Sequence, residues 1–166
     1  PKRPTWIVAV RTNDGRRIVF GRDDTTGTVG QATQASAAIP AFYTPVRIGD
    51  RTYVDGALHS STNADLVATL GFDFVIISSV KTAGPDARSW RSDPERSWFS
   101  NKLDNELAEI RSTGTPAIVI EPDDTQLELL SSGERADACA AGRLAAERVL
   151  ATSEGAGLRS IVEPAS

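Results

Sequence analysis

Tyr53-Val54-Asp55-Gly56-Ala57 is the run best able to carry chemistry. A strand end there delivers a carboxylate into a turn, and Gly56 admits backbone angles that other residues avoid. Open α/β sheets hold their ligands at the carboxyl ends of strands. An Asp mounted there acts as a general base once a proton donor lies within hydrogen-bond reach. Taken alone, Asp55-Gly56-Ala57 reads more simply as a turn whose Asp bonds its own backbone. His59 lies close enough in sequence to suggest a Ser-His-Asp arrangement, but no Ser sits on an elbow motif to complete one. A loop-packing His is the simpler reading. Cys139, set among Ala residues, reads as a small buried side chain rather than a reactive thiol. Asp23-Asp24 and Asp123-Asp124 lack calcium-loop spacing and read as loop caps and solvated charge. Trp90, Trp98 and Phe99 stand among Arg88, Arg91 and Arg96. Such a cluster can rest on a lipid surface or cover a sheet with Arg stems packed on the rings. Without a helix-period basic face, packing is the preferred reading.

The elements that would position these residues follow from local pattern. Trp6–Val10 and Arg17–Phe20 flank Asn13-Asp14-Gly15 and form a β-hairpin. Residues 21–31 form a polar loop, and Gln31–Ala38 a short helix stopped before Pro40. Val46–Ile48 and Arg51–Val54 flank Gly49-Asp50, a second hairpin. Asn63 caps a helix over Ala64–Leu70 that Gly71 ends. Phe74–Ile77 and Pro116–Ile120 are apolar runs of the type buried in parallel sheets. Residues 82–98 look irregular. Leu103, Leu107 and Ile110 recur at helix spacing, Ala136–Leu150 forms a last helix, and the tail from Thr152 is frayed apart from Ile161 and Val162. The alternation in the second half implies a parallel sheet with helices packed on it.

The chain has 166 residues, 18 basic and 22 acidic, for a net charge of −4. That length hides roughly 70% of the unfolded surface on folding. A net negative chain without a basic run is a poor nucleic-acid binder. No apolar run approaches the roughly 20 residues of a membrane span. A single Cys forms no internal disulfide, and one His with one Cys builds no usual zinc site. The chain opens Pro1-Lys2-Arg3-Pro4, contains no Met and shows no apolar leader. The expectation is a piece of a longer, cytoplasmic protein.

Ala35-Ser36-Ala37-Ala38-Ile39-Pro40, Phe42, Pro45-Val46, Tyr53–Ala57 and Asn63-Ala64-Asp65-Leu66 occur in that order. A Leu70-Gly71-Phe72-Asp73 turn and an apolar strand follow. This succession resembles the second half of the patatin-like phospholipase family, where an A-S-x-A-x-P segment precedes a strand ending in D-G-G or D-G-A. His59-Ser60 with Thr62–Asp65 is similar to a bacterial branch. The resemblance runs over about residues 6–150 and is most specific between Ala35 and Val80. It implies an α/β fold: a mainly parallel sheet with flanking helices and N-terminal hairpins, part of a three-layer architecture related to α/β-hydrolases. Residues 1–151 would be the C-terminal part of such a domain and 152–166 a tail.

The resemblance also implies lipid or ester hydrolysis by a Ser-Asp dyad. A Ser on a G-x-S-x-G turn attacks the carbonyl, the Asp takes its proton directly, and backbone amides hold the oxyanion. By that likeness Asp55 is the base, and Gly56 and Ala57 complete its turn. No metal or organic cofactor is needed, and no Gly-rich phosphate cradle is present. G-x-S-x-G and the Gly-rich oxyanion motif do not occur in the sequence, and Gly27-Thr28-Val29-Gly30 has no Ser between its glycines. Where the family often has Asn-x-Pro after the Asp, this chain reads Ser61-Thr62-Asn63. Two readings follow. The chain supplies the catalytic Asp and is inactive alone, or it is a binding module that kept the fold without the chemistry. The first expects an exposed sheet edge that takes the missing half or a second copy, a lipid or ester substrate, transient contact with a membrane surface, and no nucleic-acid partner.

Overall fold

The computed structural model describes residues 3–24, 26–80, 94–121 and 135–162. The chain forms two compact units, Pro1–Asn63 and Ala64–Ser166.

In the first unit the two turn signals make two hairpins. Strand β1 (Ile7–Arg11) pairs antiparallel with β2 (Arg17–Phe20), and β3 (Val46–Ile48) with β4 (Arg51–Asp55). Gly15 and Gly49 take the positive φ their turns demand, 68° and 61°. The hairpins join through β1 and β4, which also run antiparallel with Ala9 opposite Asp55, giving the order β2-β1-β4-β3. Helix α1 (Val29–Ser36) links them. It starts two residues before the expected Gln31 because Thr28 and Gln31 form a reciprocal capping box. Ala32 and Ala35 of α1 pack on the sheet face that carries Ala9, Phe20, Ile48 and Tyr53. Small residues on the helix let it lie close to the larger Phe20 and Tyr53, whose rings meet edge to face at 5.0 Å.

The first turn carries its own electrostatics. Arg11 Nε donates to Asp14 Oδ1 at 2.9 Å, and the Arg16 amide donates to the same oxygen. The Arg11 hydrogen bond, first, holds the Asp14 carboxyl down to about 2. The folded state therefore binds this proton less readily than the unfolded chain does. The stabilisation is complete above the ordinary value of 3.8 and is lost as pH falls towards the folded value. Thermal melts over that acid range should show Tm falling with pH, and Asp14→Asn should flatten this part of the profile. An unchanged slope in the variant would contradict the assignment.

In the second unit β5 (Val75–Ser78) and β6 (Ala117–Ile120) pair in parallel. Helix α2 (Pro94–Ser112) connects them in sequence and buries Leu103, Leu107 and Ile110 against Val75, Ile77 and Ala117. Helices α3 (Arg135–Leu150) and α4 (Ser153–Val162) follow.

Several expectations change. Among the described residues the four-stranded sheet is antiparallel and the two-stranded sheet parallel, so most strand pairing is antiparallel. The reason is topological: tight hairpins force antiparallel neighbours, and β1 meets β4 in the same sense. Helix α2 begins inside the stretch read as irregular, with Pro94 at its first position, where a missing N–H costs nothing. The tail from Thr152 is not frayed over 153–162 but forms α4. Ala64–Leu70 is shorter than expected, a 3-10 helix over Ala64–Val67. Asn63 does not cap it. The Ala64 amide donates instead to the buried carboxylate of Glu106 at 3.0 Å. Strand β5 is not buried on both faces: with β6 as its one described neighbour, Ile76 stays 52% exposed.

Candidate functional site

Asp55 is the last residue of β4, at the strand end where the sequence places it. Three contacts hold it. Its Cα is in register with Ala9 of β1. Its amide donates to the Ala38 carbonyl at 3.0 Å. Its Oδ1 accepts from the Ala57 amide at 2.8 Å. The last contact makes Asp55 the N-cap of a 3-10 turn over Gly56–Leu58. The side chain is half-buried, and among the described residues no group bonds Oδ2. The carboxylate is thus oriented through one oxygen, while the other keeps its lone pairs for a proton. The turn-Asp reading and the general-base geometry describe the same side chain through different oxygens.

The amide bond to Ala38 gives physical content to the order of the motifs. Ala35–Pro40 ends α1, and its Ala38 carbonyl seats the Asp55 backbone. The two motif pieces form one structural corner.

Gly56 serves this corner differently from the expectation. Its φ is not in the positive region. A Cβ there would instead lie 2.4 Å from the Val8 carbonyl oxygen. The residue is small because the turn crosses directly over β1, not because it needs an unusual backbone angle. Ala57 supplies the amide that fixes Asp55.

The segment that follows closes by a network that composition alone did not reveal. Ser60 is buried, and its Oγ accepts from the Asn63 amide at 3.1 Å and the Thr62 amide at 3.3 Å. Asn63 donates from Nδ2 to the Ser60 carbonyl and accepts from Arg17 at 3.2 Å. Asn63 holds φ at 49°, the left-handed region that Asn tolerates best among non-glycine residues. The available signal was the Ser60-x-x-Asn63 spacing, a side-chain-to-backbone turn. With these bonds the loop needs no Asn-x-Pro to be ordered.

The other candidates separate from this corner. His59 is half-buried in the turn, with its amide on the Gly56 carbonyl. Cys139 is exposed rather than buried, since α3 turns it away from its packed side, where Ala145 lies. Asp23 accepts from the Val19 amide and Arg22. Asp24 accepts from Thr26 and from the buried Tyr53 hydroxyl. Hydrogen bonds, to Arg22 and to Thr26 respectively, hold both carboxyls below the usual range. Among the described residues no group of acidic, His and Cys side chains could hold a metal ion. Asp123-Asp124, Trp90, Arg88 and Arg91 lie outside the described residues. Trp98 and Phe99 pack edge to face at 5.0 Å, with Phe99 buried and Lys102 above the Trp98 ring. No described helix is long and apolar enough to cross a membrane. A cavity of about 340 Å³ lies at the N-terminal end of α1, lined by Ile7, Phe20, Asp24, Thr28 and Val29 among others, and Asp55 is not part of it.

Residues 3–68 match a family model described as patatin-like phospholipase. The matched segment contains both motif pieces, Ala35–Pro40 and Asp55–Ala57. Over that span the chain is similar to a family of lipid acyl hydrolases.

Proposed function

We propose that this chain supplies the general base of a patatin-like serine acyl hydrolase. The observation that carries the reading is the Asp55 carboxylate. It stands at a strand end, fixed through Oδ1, with Oδ2 unbonded among the described residues. Since the sequence has no G-x-S-x-G, the nucleophilic hydroxyl and the oxyanion donors come from residues outside these 166. In the reaction, Oδ2 takes the hydroxyl proton as the Ser oxygen bonds the ester carbonyl carbon. The alcohol leaves with a proton, and water then releases the acid from the acyl-enzyme. The substrate class is a lipid or simple ester.

The missing G-x-S-x-G also favours a second reading, a binding module without chemistry. Turnover of a p-nitrophenyl ester separates the two. The 166-residue chain should be inactive, and a longer protein carrying an upstream in-frame G-x-S-x-G should be active. Turnover by the short chain that persists in Asp55→Asn would overturn the proposal. An initiator Met encoded immediately before Pro1 would favour the binding module. The same reading makes the edge of β5 that no described strand pairs, with Ile76 exposed in the strand and Phe72 and Val80 exposed beside it, a place for added strands or a second copy. A clean 17.7 kDa monomer in sizing would argue against that docking.

A further inference from the structure

We propose that Ser60 is a positioning residue for Asp55, acting through the peptide plane between Gly56 and Ala57. Its effect on turnover rests on the acyl-hydrolase reading; the lock on the plane does not.

One side-chain contact orients Asp55, the Ala57 amide on Oδ1 at 2.8 Å. That amide shares a rigid trans peptide with the Gly56 carbonyl, and the two point in opposite directions. The carbonyl is held in turn. The His59 amide donates to it at 3.0 Å and the Ser60 amide at 3.4 Å. Fixing the carbonyl on one side of the plane therefore aims the N–H on the other. With the N–H goes Oδ1, and with Oδ1 the direction in which Oδ2 presents its lone pairs.

Those two amides stay in place only if the chain after them turns back, and the Ser60 hydroxyl makes that turn. Ser60 is 1% exposed. Its Oγ accepts from the Asn63 and Thr62 amides, which fills both lone pairs, and its proton is left for Thr62 Oγ1 at 3.3 Å. Its carbonyl accepts from Asn63 Nδ2, and Asn63 is tied to β2 through Arg17. Ser60 is thus held at its amide, its side chain and its carbonyl. The adjacent Ser61 is the contrast: its Oγ is also buried, yet it has no hydrogen-bond partner among the described residues. Two neighbouring buried hydroxyls stand in one loop, and only that of Ser60 is wired to the turn of the base.

Ser60→Ala removes the acceptor of two loop amides, so the loop should open locally more often. The first readout is amide hydrogen exchange in the 166-residue chain. Ala57 should exchange about tenfold faster or more in Ser60→Ala, while the amides of β1 exchange as in wild type. Ser61→Ala should match wild type at Ala57. Asn63→Gly keeps the backbone angle and loses the Nδ2 bond. It should shift Ala57 in the same direction, and it carries the test if Ser60→Ala does not fold. Unchanged Ala57 exchange in the folded variant would overturn the proposal. The second readout is ester turnover of the longer protein that carries G-x-S-x-G. Ser60→Ala should lower kcat by about tenfold with little change in KM. Added to Asp55→Asn it should cost nothing further, because a residue that acts through the carboxylate has nothing left to position. An equal fall in the Asp55→Asn background would make Ser60 merely structural and overturn the proposal. Asp55→Asn as fast as wild type would instead overturn the general-base reading and the kinetic effect with it, while Ala57 exchange still decides the lock.

Discussion

Asp55→Asn, made in the protein that joins this chain to its nucleophile segment, is expected to lower ester turnover by about 10²–10⁴-fold, the range for loss of a general base. The expectation is specific because Asn keeps the local structure. Its carbonyl oxygen can still accept the Ala57 amide that Oδ1 holds at 2.8 Å, so the 3-10 turn survives. The other position becomes an NH₂ group, which donates and cannot take a proton. KM should therefore move little while kcat falls. Asp55→Glu keeps the charge but adds a methylene, and the short bond to Ala57 cannot form at the same geometry. It should recover only part of the rate. Comparable loss of KM and kcat in Asp55→Asn would point to a structural role instead.

Gly56→Ala should destabilise the fold by about 3 kcal/mol, the upper part of the range for overpacking in a tight site. The new Cβ would meet the Val8 carbonyl oxygen at 2.4 Å and its carbon at 2.9 Å. These are backbone atoms within β1, so relief requires moving a strand rather than a rotamer. Moving β1 relative to the turn also disturbs the register of Ala9 with Asp55. Urea unfolding would show a lower midpoint, and turnover of the joined protein should fall as well. A Gly56→Ala variant as stable as wild type would show that the crossing over β1 is looser than this contact requires. Gly49→Ala is the useful comparison: there a Cβ meets nothing within 4 Å, and only the positive φ of 61° resists it.

Local features of the fold were readable because their causes are local. Gly15 and Gly49 announced the hairpins, and both occupy the backbone region that glycine admits. Leu103, Leu107 and Ile110 announced α2, and all three are buried. The parallel pairing of β5 and β6 followed from two apolar runs with a helix between them. What escaped depended on contacts distant in sequence. No local pattern says that β1 will lie antiparallel to β4, so the expected dominance of parallel strands failed there. Asn63 looked like a helix cap, but Ser60 and Arg17 take its side chain while Glu106 takes the Ala64 amide. The place of Asp55 at a strand end was legible from the alternation before it. The reason for Gly56 was not, because it depends on a strand more than forty residues earlier. The seat that Ala38 gives the Asp55 amide was hidden for the same reason.

The proton-acceptor role of Asp55 is tested most directly by the rate at which a p-nitrophenyl phosphonate labels the nucleophilic Ser in the joined protein. Labelling requires an activated hydroxyl but no completed hydrolysis. The account predicts stoichiometric loss of p-nitrophenolate from wild type and a rate at least about a hundredfold slower in Asp55→Asn, with both proteins equally folded. Equal labelling rates in the two would contradict it, because the hydroxyl would then be activated without this carboxylate.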